Sequence, residues 1–299
     1  MSVLATSRNR WGEYLLGKLF FFCAFISVIT TVTVIAILAV ETFGFFQEVS
    51  VSEFLFGTEW RPLLHPKAYG ILPLLAGTML IVVGSSLVAL PIGLACAVYL
   101  SEYASEKARN IIKPVLEVLA GIPTVVYGYF ALTFVTPVIR GMFESTQVFN
   151  AASAAIVVGI MVLPMVASLC DDALRSVPAS LREGAYSLGA TSFEVSARIV
   201  LPAALSGIFA AFVLAVSRAI GETMAVTLAA GATPNLTLNP LESIQTMTAY
   251  IVQVSLGDTP SGTLTYKTLF AVASLLFGIT LLMNLLANHV MRKYQEVYE

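Results

Sequence analysis

Asp171-Asp172-Ala-Leu-Arg175-Ser-Val-Pro178-Ala-Ser-Leu181-Arg182-Glu183-Gly184-Ala185-Tyr186-Ser-Leu188-Gly189-Ala190-Thr191-Ser-Phe193-Glu194-Val-Ser-Ala-Arg198-Ile199-Val-Leu201-Pro202 is a polar island set between two long apolar stretches. Two short helices are predicted in it. Pro178 suits a first turn, where its missing N–H would have had no partner. Leu181, Ala185 and Leu188 then follow at helical spacing, which puts them on one face. Gly189 supplies a stop, because glycine accepts the left-handed conformation at a helix end. Thr191 and Glu194 have the spacing of a capping box, which starts the second helix. The expectation is a short helix with apolar knobs, flanked by charges and projecting from a membrane surface. Such a helix offers a soluble partner something to grip.

The membrane follows from composition. Of 299 residues, 58% are hydrophobic and 11% charged, with a mean hydropathy of +0.86. A soluble domain carries about 25% charged residues. In lipid every backbone N–H and C=O must be satisfied internally, so only helices or closed barrels can span. The apolar runs here far exceed the roughly 10 residues of a barrel strand. The expected fold is therefore an all-α integral membrane protein with six transmembrane helices, at 19–40, 71–100, 114–139, 151–170, 201–231 and 268–290. The second run exceeds the roughly 20 residues a span requires, so it either breaks at Pro73, Pro91 or Gly93, or tilts. The net charge of −2 says little about partners, and no nucleic acid is expected among them.

Cation placement orients the chain. With the N-terminus inside, the inner segments hold Arg8, Arg10, Lys18, Lys107, Arg109, Lys113, Arg175, Arg182, Arg198, Arg292 and Lys293. The outer loops hold only Arg61, Lys67, Arg140 and Lys267, and Arg218 remains within a span. Both termini and the 171–202 loop are expected on the cytoplasmic side. The run 19–40 is too long for a cleaved signal peptide and lacks a small-residue cleavage site, so it should remain as an anchor. The tail before it, with Arg8, Arg10, Trp11 and Lys18, reads either as a contact with anionic lipid or as a disordered tail. Cys23, Cys96 and Cys170 lie in apolar runs without a Cys-x-x-Cys pair and read as buried small hydrophobes.

The polar island also carries a resemblance. Glu183-Gly184-Ala185, then Gly189 after three residues, then Ile199-Val-Leu201-Pro202 after nine more, resembles the EAA loop of ABC-importer permeases. The departure is Gly184, where that family prefers alanine; it costs about 1 kcal/mol of helix propensity. The resemblance implies a type I, MetI-like permease core over 70–290. Before it would come a tail, first span and periplasmic loop (1–69), and after it a cytoplasmic tail (291–299). It makes 171–202 a coupling loop whose helix sits in a groove of a cytoplasmic ATPase. Leu181, Arg182, Glu183, Gly184, Ala185, Leu188 and Gly189 are then the expected ATPase-coupling residues.

Three further stretches resemble the phosphate-importing branch of these permeases. Phe54-Leu-Phe-Gly-Thr-Glu59-Trp60, followed by Tyr69-Gly70-Ile-Leu-Pro73, resembles its outer loop and second-span entry. Gly121-Ile-Pro123-Thr-Val-Val-Tyr127-Gly128 resembles its third span, with Pro123 expected to kink that helix. Its glycines either let helices pack closely or help line a pathway. Glu117, near the cytoplasmic end, is assigned no transport role. Ser217-Arg218-Ala-Ile-Gly221-Glu222-Thr223-Met224-Ala-Val-Thr227 resembles the fifth span of PstC-type permeases.

Read from its residues alone, the fifth span carries a charge at depth. Arg218 lies 16 residues beyond Pro202, about 24 Å along a helix, and the hydrocarbon is about 30 Å thick. A charge there costs about 2.5 kcal/mol or more, so it must face protein or water. Glu222, four residues on, falls on the same helical face and can pair with it. The pair reads either as packing against another subunit or as a charged gate on an anion path, with Thr223 and Thr227 offering hydroxyls nearby. An oxyanion would compete with Glu222 for the guanidinium, whose fork fits phosphate geometry.

No phosphate-binding GxxxxGK[ST] loop, GxSxG, HExxH or metal-type carboxylate cluster occurs. The chain is not expected to be an enzyme on its own, and no cofactor is expected. The resemblance implies partners: a PstA-type second permease, a PstB-type ATPase dimer and a PstS-type periplasmic phosphate-binding protein, in a bacterial inner membrane. Two alternatives keep their place: a permease for another oxyanion such as sulfate or molybdate, and a secondary transporter driven by an ion gradient.

Overall fold

A computed structural model describes residues 10–294. Arg8 and the last residues of the C-terminal tail, 295–299, lie outside the described residues. Helix α1 (Arg10–Phe46) takes in the later part of the expected tail and the first span as one rod. Its 37 residues extend about 55 Å, more than the hydrocarbon needs. Cys23 is exposed on it rather than buried, because α1 stands apart from the main core. It packs along the last helix, where Thr42 Oγ1 meets Ser274 Oγ at 2.7 Å.

Short α2 (Val51–Phe56) and an antiparallel pair, β1 (Trp60–Arg61) and β2 (Ala68–Tyr69), form a cap at one end. Its core is aromatic: Phe45 meets Phe54 edge-on at 5.6 Å, and Trp60 meets Tyr250 at 4.9 Å. Helix α3 (Leu72–Val98) continues through a π turn, Tyr99–Tyr103, without breaking. Pro73 sits in its first turn, where no hydrogen bond is lost.

The third span differs from expectation. Residues 106–120 form a separate amphipathic helix, α4 (Glu106–Ala120). The span proper begins ten residues later than 114, as α5 (Thr124–Phe130), a π turn (Ala131–Val135) and α6 (Thr136–Met142). Pro123 is the N-cap of α5 rather than a kink within a helix. Helix α4 turns Leu116, Arg109 and Lys113 toward α7 and leaves Ile111, Val115 and Val118 exposed; its charged residues Glu106, Lys107, Arg109, Lys113 and Glu117 rule out crossing.

Helix α7 (Ala151–Arg175) is the axis of the molecule. Ala154, Val158, Val162, Val166, Cys170 and Leu174 are all buried along it. Its closest partner is α3, and small residues set the approach: a Cβ on Gly159 would lie 2.7 Å from Val88 Cβ, and one on Gly84 would lie 2.7 Å from Ala155 Cβ. Close backbone approach of this kind is how helices associate in lipid.

After α7 come α8 (Ala179–Ser187) and α9 (Ser192–Val195), then a π turn (Ser196–Val200) and α10 (Leu201–Ala203). The chain turns by 70° into α11 (Leu205–Ile220). The fifth span is broken, not continuous: α11 stops at Ile220, and α12 (Met224–Ala230) resumes after Gly221, Glu222 and Thr223. Together they traverse the height of α7, since Gly207 lies against Ala173 and the Ala229 carbonyl accepts from Asn150 N–H. The polar 232–267 loop contains α13 (Met247–Leu256). Helix α14 (Leu264–Tyr294) closes the bundle. Among the described residues, five helices are long and apolar enough to cross a membrane on their own, and Ser192–Ala203 with Leu205–Ile220, counted as one bent span, gives six.

Candidate functional site

The expected docking helix is α8, which forms where the sequence predicts but presents a different face. Pro178 is the N-cap of α8. At the other end Gly189 has φ +85, the left-handed region that favours glycine. Ala190 N–H then reaches Ala185 C=O at 3.2 Å, and Gly189 N–H reaches Tyr186 C=O at 2.9 Å, the two bonds of a Schellman motif. Thr191 and Glu194 cap α9 reciprocally as expected. Hydrogen bonds from Thr191 hold the Glu194 carboxyl below its ordinary range.

Ala185 is not a knob. It packs inward against the core beside Ala190. The exposed apolar groups are Leu188, at 91%, with Tyr186 and Phe193, and Leu181 at the margin. The residues three and four apart do share a face, but the chain entering at Pro178 and leaving at Gly189 decides how far that face turns toward the bundle. Tyr186 and Phe193 were missed; their sequence signal was simply large aromatics in an otherwise polar loop. Glu183, Gly184 and Gly189 are exposed.

Arg182 also faces inward. Its guanidinium engages Glu102 of the π turn after α3, at 3.0 and 3.4 Å, and donates to the Leu174 and Val177 carbonyls at 2.8 and 2.6 Å. A second ion-pair group lies beside it. Asp171, wholly buried on α7, receives Arg109 at 2.7 Å and Lys113 at 3.2 Å from α4. Arg175 Nε stands 3.4 Å from its other oxygen, close enough for charge attraction although not aligned as a hydrogen bond. Lys113 and Glu117 line a mostly apolar cavity of about 300 Å³ between α4 and α7.

The break in the fifth span separates the expected charge pair. Arg218, at the end of α11, is exposed on the surface of the chain and pairs with no carboxylate among the described residues. Glu222 is buried instead. Its Oε1 accepts from Ala225 N–H at 3.2 Å, capping α12, while its backbone carbonyl accepts from Thr248 Oγ1 at 2.8 Å. Spacing puts the two on one face only if the helix continues, and Gly221 ends it. Thr223 and Thr227 already donate their hydroxyl protons, to Gly221 C=O at 3.1 Å and Thr223 C=O at 2.7 Å. Each therefore turns lone pairs rather than a proton toward any ligand. Ala215 and Ala219, beside Arg218 in the chain, line a narrow cleft with Val162, halfway along α7.

A bundle with a projecting surface helix and a broken, cation-bearing span has relatives. A family profile described as "binding-protein-dependent transport system inner membrane component" matches residues 89–295. A probable ABC transporter permease of Bacillus subtilis, YqgH, is 33% identical, covering 96% of this chain and 94% of that protein. A phosphate transport system permease, PstC 1, of Mycobacterium tuberculosis is 34% identical over 80% of this chain and 81% of its own length. One of Mesorhizobium japonicum, PstC, is 31% identical over 85% and 80%. Among solved structures, a bacterial ABC transporter that imports alginate aligns at a TM-score of 0.65 with 16% identity, covering 97% of this chain and 100% of that one. The MetNI methionine transporter aligns at 0.57 with 17% identity, covering 76% and 95%. Those two likenesses concern the fold, which is the MetI-like permease fold expected above. The chain belongs to the family of inner-membrane components of binding-protein-dependent transport systems.

Proposed function

We propose that this chain is one of two permease subunits of an ATP-driven importer that carries inorganic phosphate across a bacterial inner membrane. The observation that supports this most directly is the Arg218 guanidinium, paired with no carboxylate among the described residues and exposed level with the middle of α7, beside a break in the fifth span. A cation at that depth requires water, a partner chain or a passing anion. The run Ser217–Thr227 around it resembles PstC-type permeases, and relatives named for phosphate transport are identical to this chain at about a third of the aligned positions.

In this reading the transport core is 70–290, flanked by 1–69 and a cytoplasmic tail from 291, with both termini cytoplasmic. A PstA-type permease completes the path, a PstB-type ATPase dimer drives it, and a PstS-type binding protein delivers phosphate from outside. Leu181, Glu183, Leu188, Tyr186 and Phe193 contact the ATPase. Gly184 lies within that surface, Gly189 shapes it, and Ala185 and Arg182 fix it to the bundle. On the path, Arg218 attracts the anion. Glu222 holds the start of α12 and keeps a negative charge behind it, so that phosphate is not trapped. Thr223 and Thr227 shape the break. Hydrolysis of ATP belongs to the partner subunits.

The test is uptake of labelled phosphate by proteoliposomes holding the whole importer and supplied with binding protein. Arg218→Gln should lower uptake at least tenfold while the subunits still co-purify. Unchanged uptake removes Arg218 from the path. Competition by sulfate or molybdate as strong as by phosphate would reassign the cargo, and uptake that persists without ATP would assign a gradient-driven transporter instead.

A further inference from the structure

We infer that the Arg182–Glu102 pair is the joint through which the docking helix moves the membrane-spanning helices, so that both are positioning residues for coupling. The inference rests on the ATP-driven reading above and assigns a role within it. Glu102 lies at the end of α3, eighty residues before Arg182 in the chain. The guanidinium meets its carboxylate side-on, Nη2 to Oε1 and Nε to Oε2. The remaining donors go to the carbonyls of Leu174, in the last turn of α7, and Val177, just beyond it. Four directed bonds thus tie α8 to both α3 and α7 at one point.

That point is built to resist separation. The Glu102 side chain is 6% exposed, and Ser101 Oγ donates to it at 2.7 Å. Removing one member of a buried pair strands the other charge, so the bonds hold while the helices move as a body. The apolar contacts of Ala185 and Ala190 beneath α8 set no direction, since methyl groups slide over one another. The guanidinium fork does set one. The Asp171 group sits next to it and shares an element: Arg109 donates to Asp171 and also lies 3.4 Å from the Leu100 carbonyl. A displacement of α8 therefore reaches the inner ends of α3, α7 and α4 together. Glu102 also belongs to a π turn, whose looser hydrogen bonding lets the end of α3 yield without unwinding the rest.

The experiment measures phosphate moved per ATP hydrolysed by the full importer in proteoliposomes with binding protein. Glu102→Gln keeps the shape of the side chain and removes the charge. The expected result is intact assembly, ATP hydrolysis within about twofold of wild type, and a fall of tenfold or more in phosphate moved per ATP. Glu102→Asp, which keeps the charge but withdraws it by one methylene, should lower the ratio severalfold and serves if the glutamine variant does not assemble. Arg182→Lys, which cannot form the fork, should lower it as well. A wild-type ratio in both Glu102 variants overturns the joint. A wild-type importer that moves no phosphate at all overturns the functional reading instead, so the two failures are distinct.

Discussion

At the scale of single residues, conformation and contact separate cleanly in the two glycines of the docking helix. A Cβ at either Gly184 or Gly189 would meet nothing within 4 Å, so sterics do not distinguish them. Their backbones do. Gly184 is in ordinary helix, and Gly184→Ala should stabilise α8 by up to about 1 kcal/mol. Gly189 is at φ +85, and Gly189→Ala should destabilise the same helix end by about 1–2 kcal/mol. The rate of protease cleavage in the 176–195 segment should fall in the first variant and rise in the second; equal rates would contradict the left-handed cap. The position of Gly189 was legible because only a few residue types accept that conformation. The destination of Arg182 was not, because its partner stands far away in the chain and no local pattern points to it.

At the scale of elements, α4 shows what hydropathy alone misses. Its apolar face runs into the third span, and only the Gly121-Ile122-Pro123 break divides a surface helix from a crossing one. What holds α4 on the bundle is Asp171, buried against three cations. Asp171→Asn should leave Arg109 and Arg175 without their counter-charge, and Lys113 with only the exposed Asp172, and cost about 3 kcal/mol. This would be read as a lowered thermal midpoint of the purified chain in detergent. Asp172→Asn is the control, since that carboxylate is largely exposed and 3.7 Å from Lys113; its effect should stay within about 0.5 kcal/mol. The fifth span teaches the complementary lesson. A glycine followed by a polar pair can end a helix, and a four-residue spacing means a shared face only while the helix lasts.

At the scale of the whole molecule, the contacts sort the loops into two ends. Glu102, Arg109, Asp171 and Arg182 meet at one. At the other, Glu48 pairs with Lys267 at 2.9 Å. This division agrees with the cation count, which assigns the first group to the cytoplasm. In a Cys23→Ser background, Leu188→Cys should react with a membrane-impermeant thiol reagent only in inside-out vesicles, and Gly262→Cys only in right-side-out ones. The opposite pattern would invert the topology and remove the docking helix from any cytoplasmic ATPase. By itself the sequence determined the class, the number of apolar crossings, the Gly189 stop of α8 and the capping box of α9. These follow from hydrophobic length, local hydrogen bonding and rise per residue, which need no knowledge of neighbours. The tertiary structure alone decided which face of α8 is free, where Arg182 and Asp171 find their partners, and that Arg218 and Glu222 part company. Those outcomes depend on how breaks in the chain rotate one segment against another, and rotation is settled by packing across the bundle.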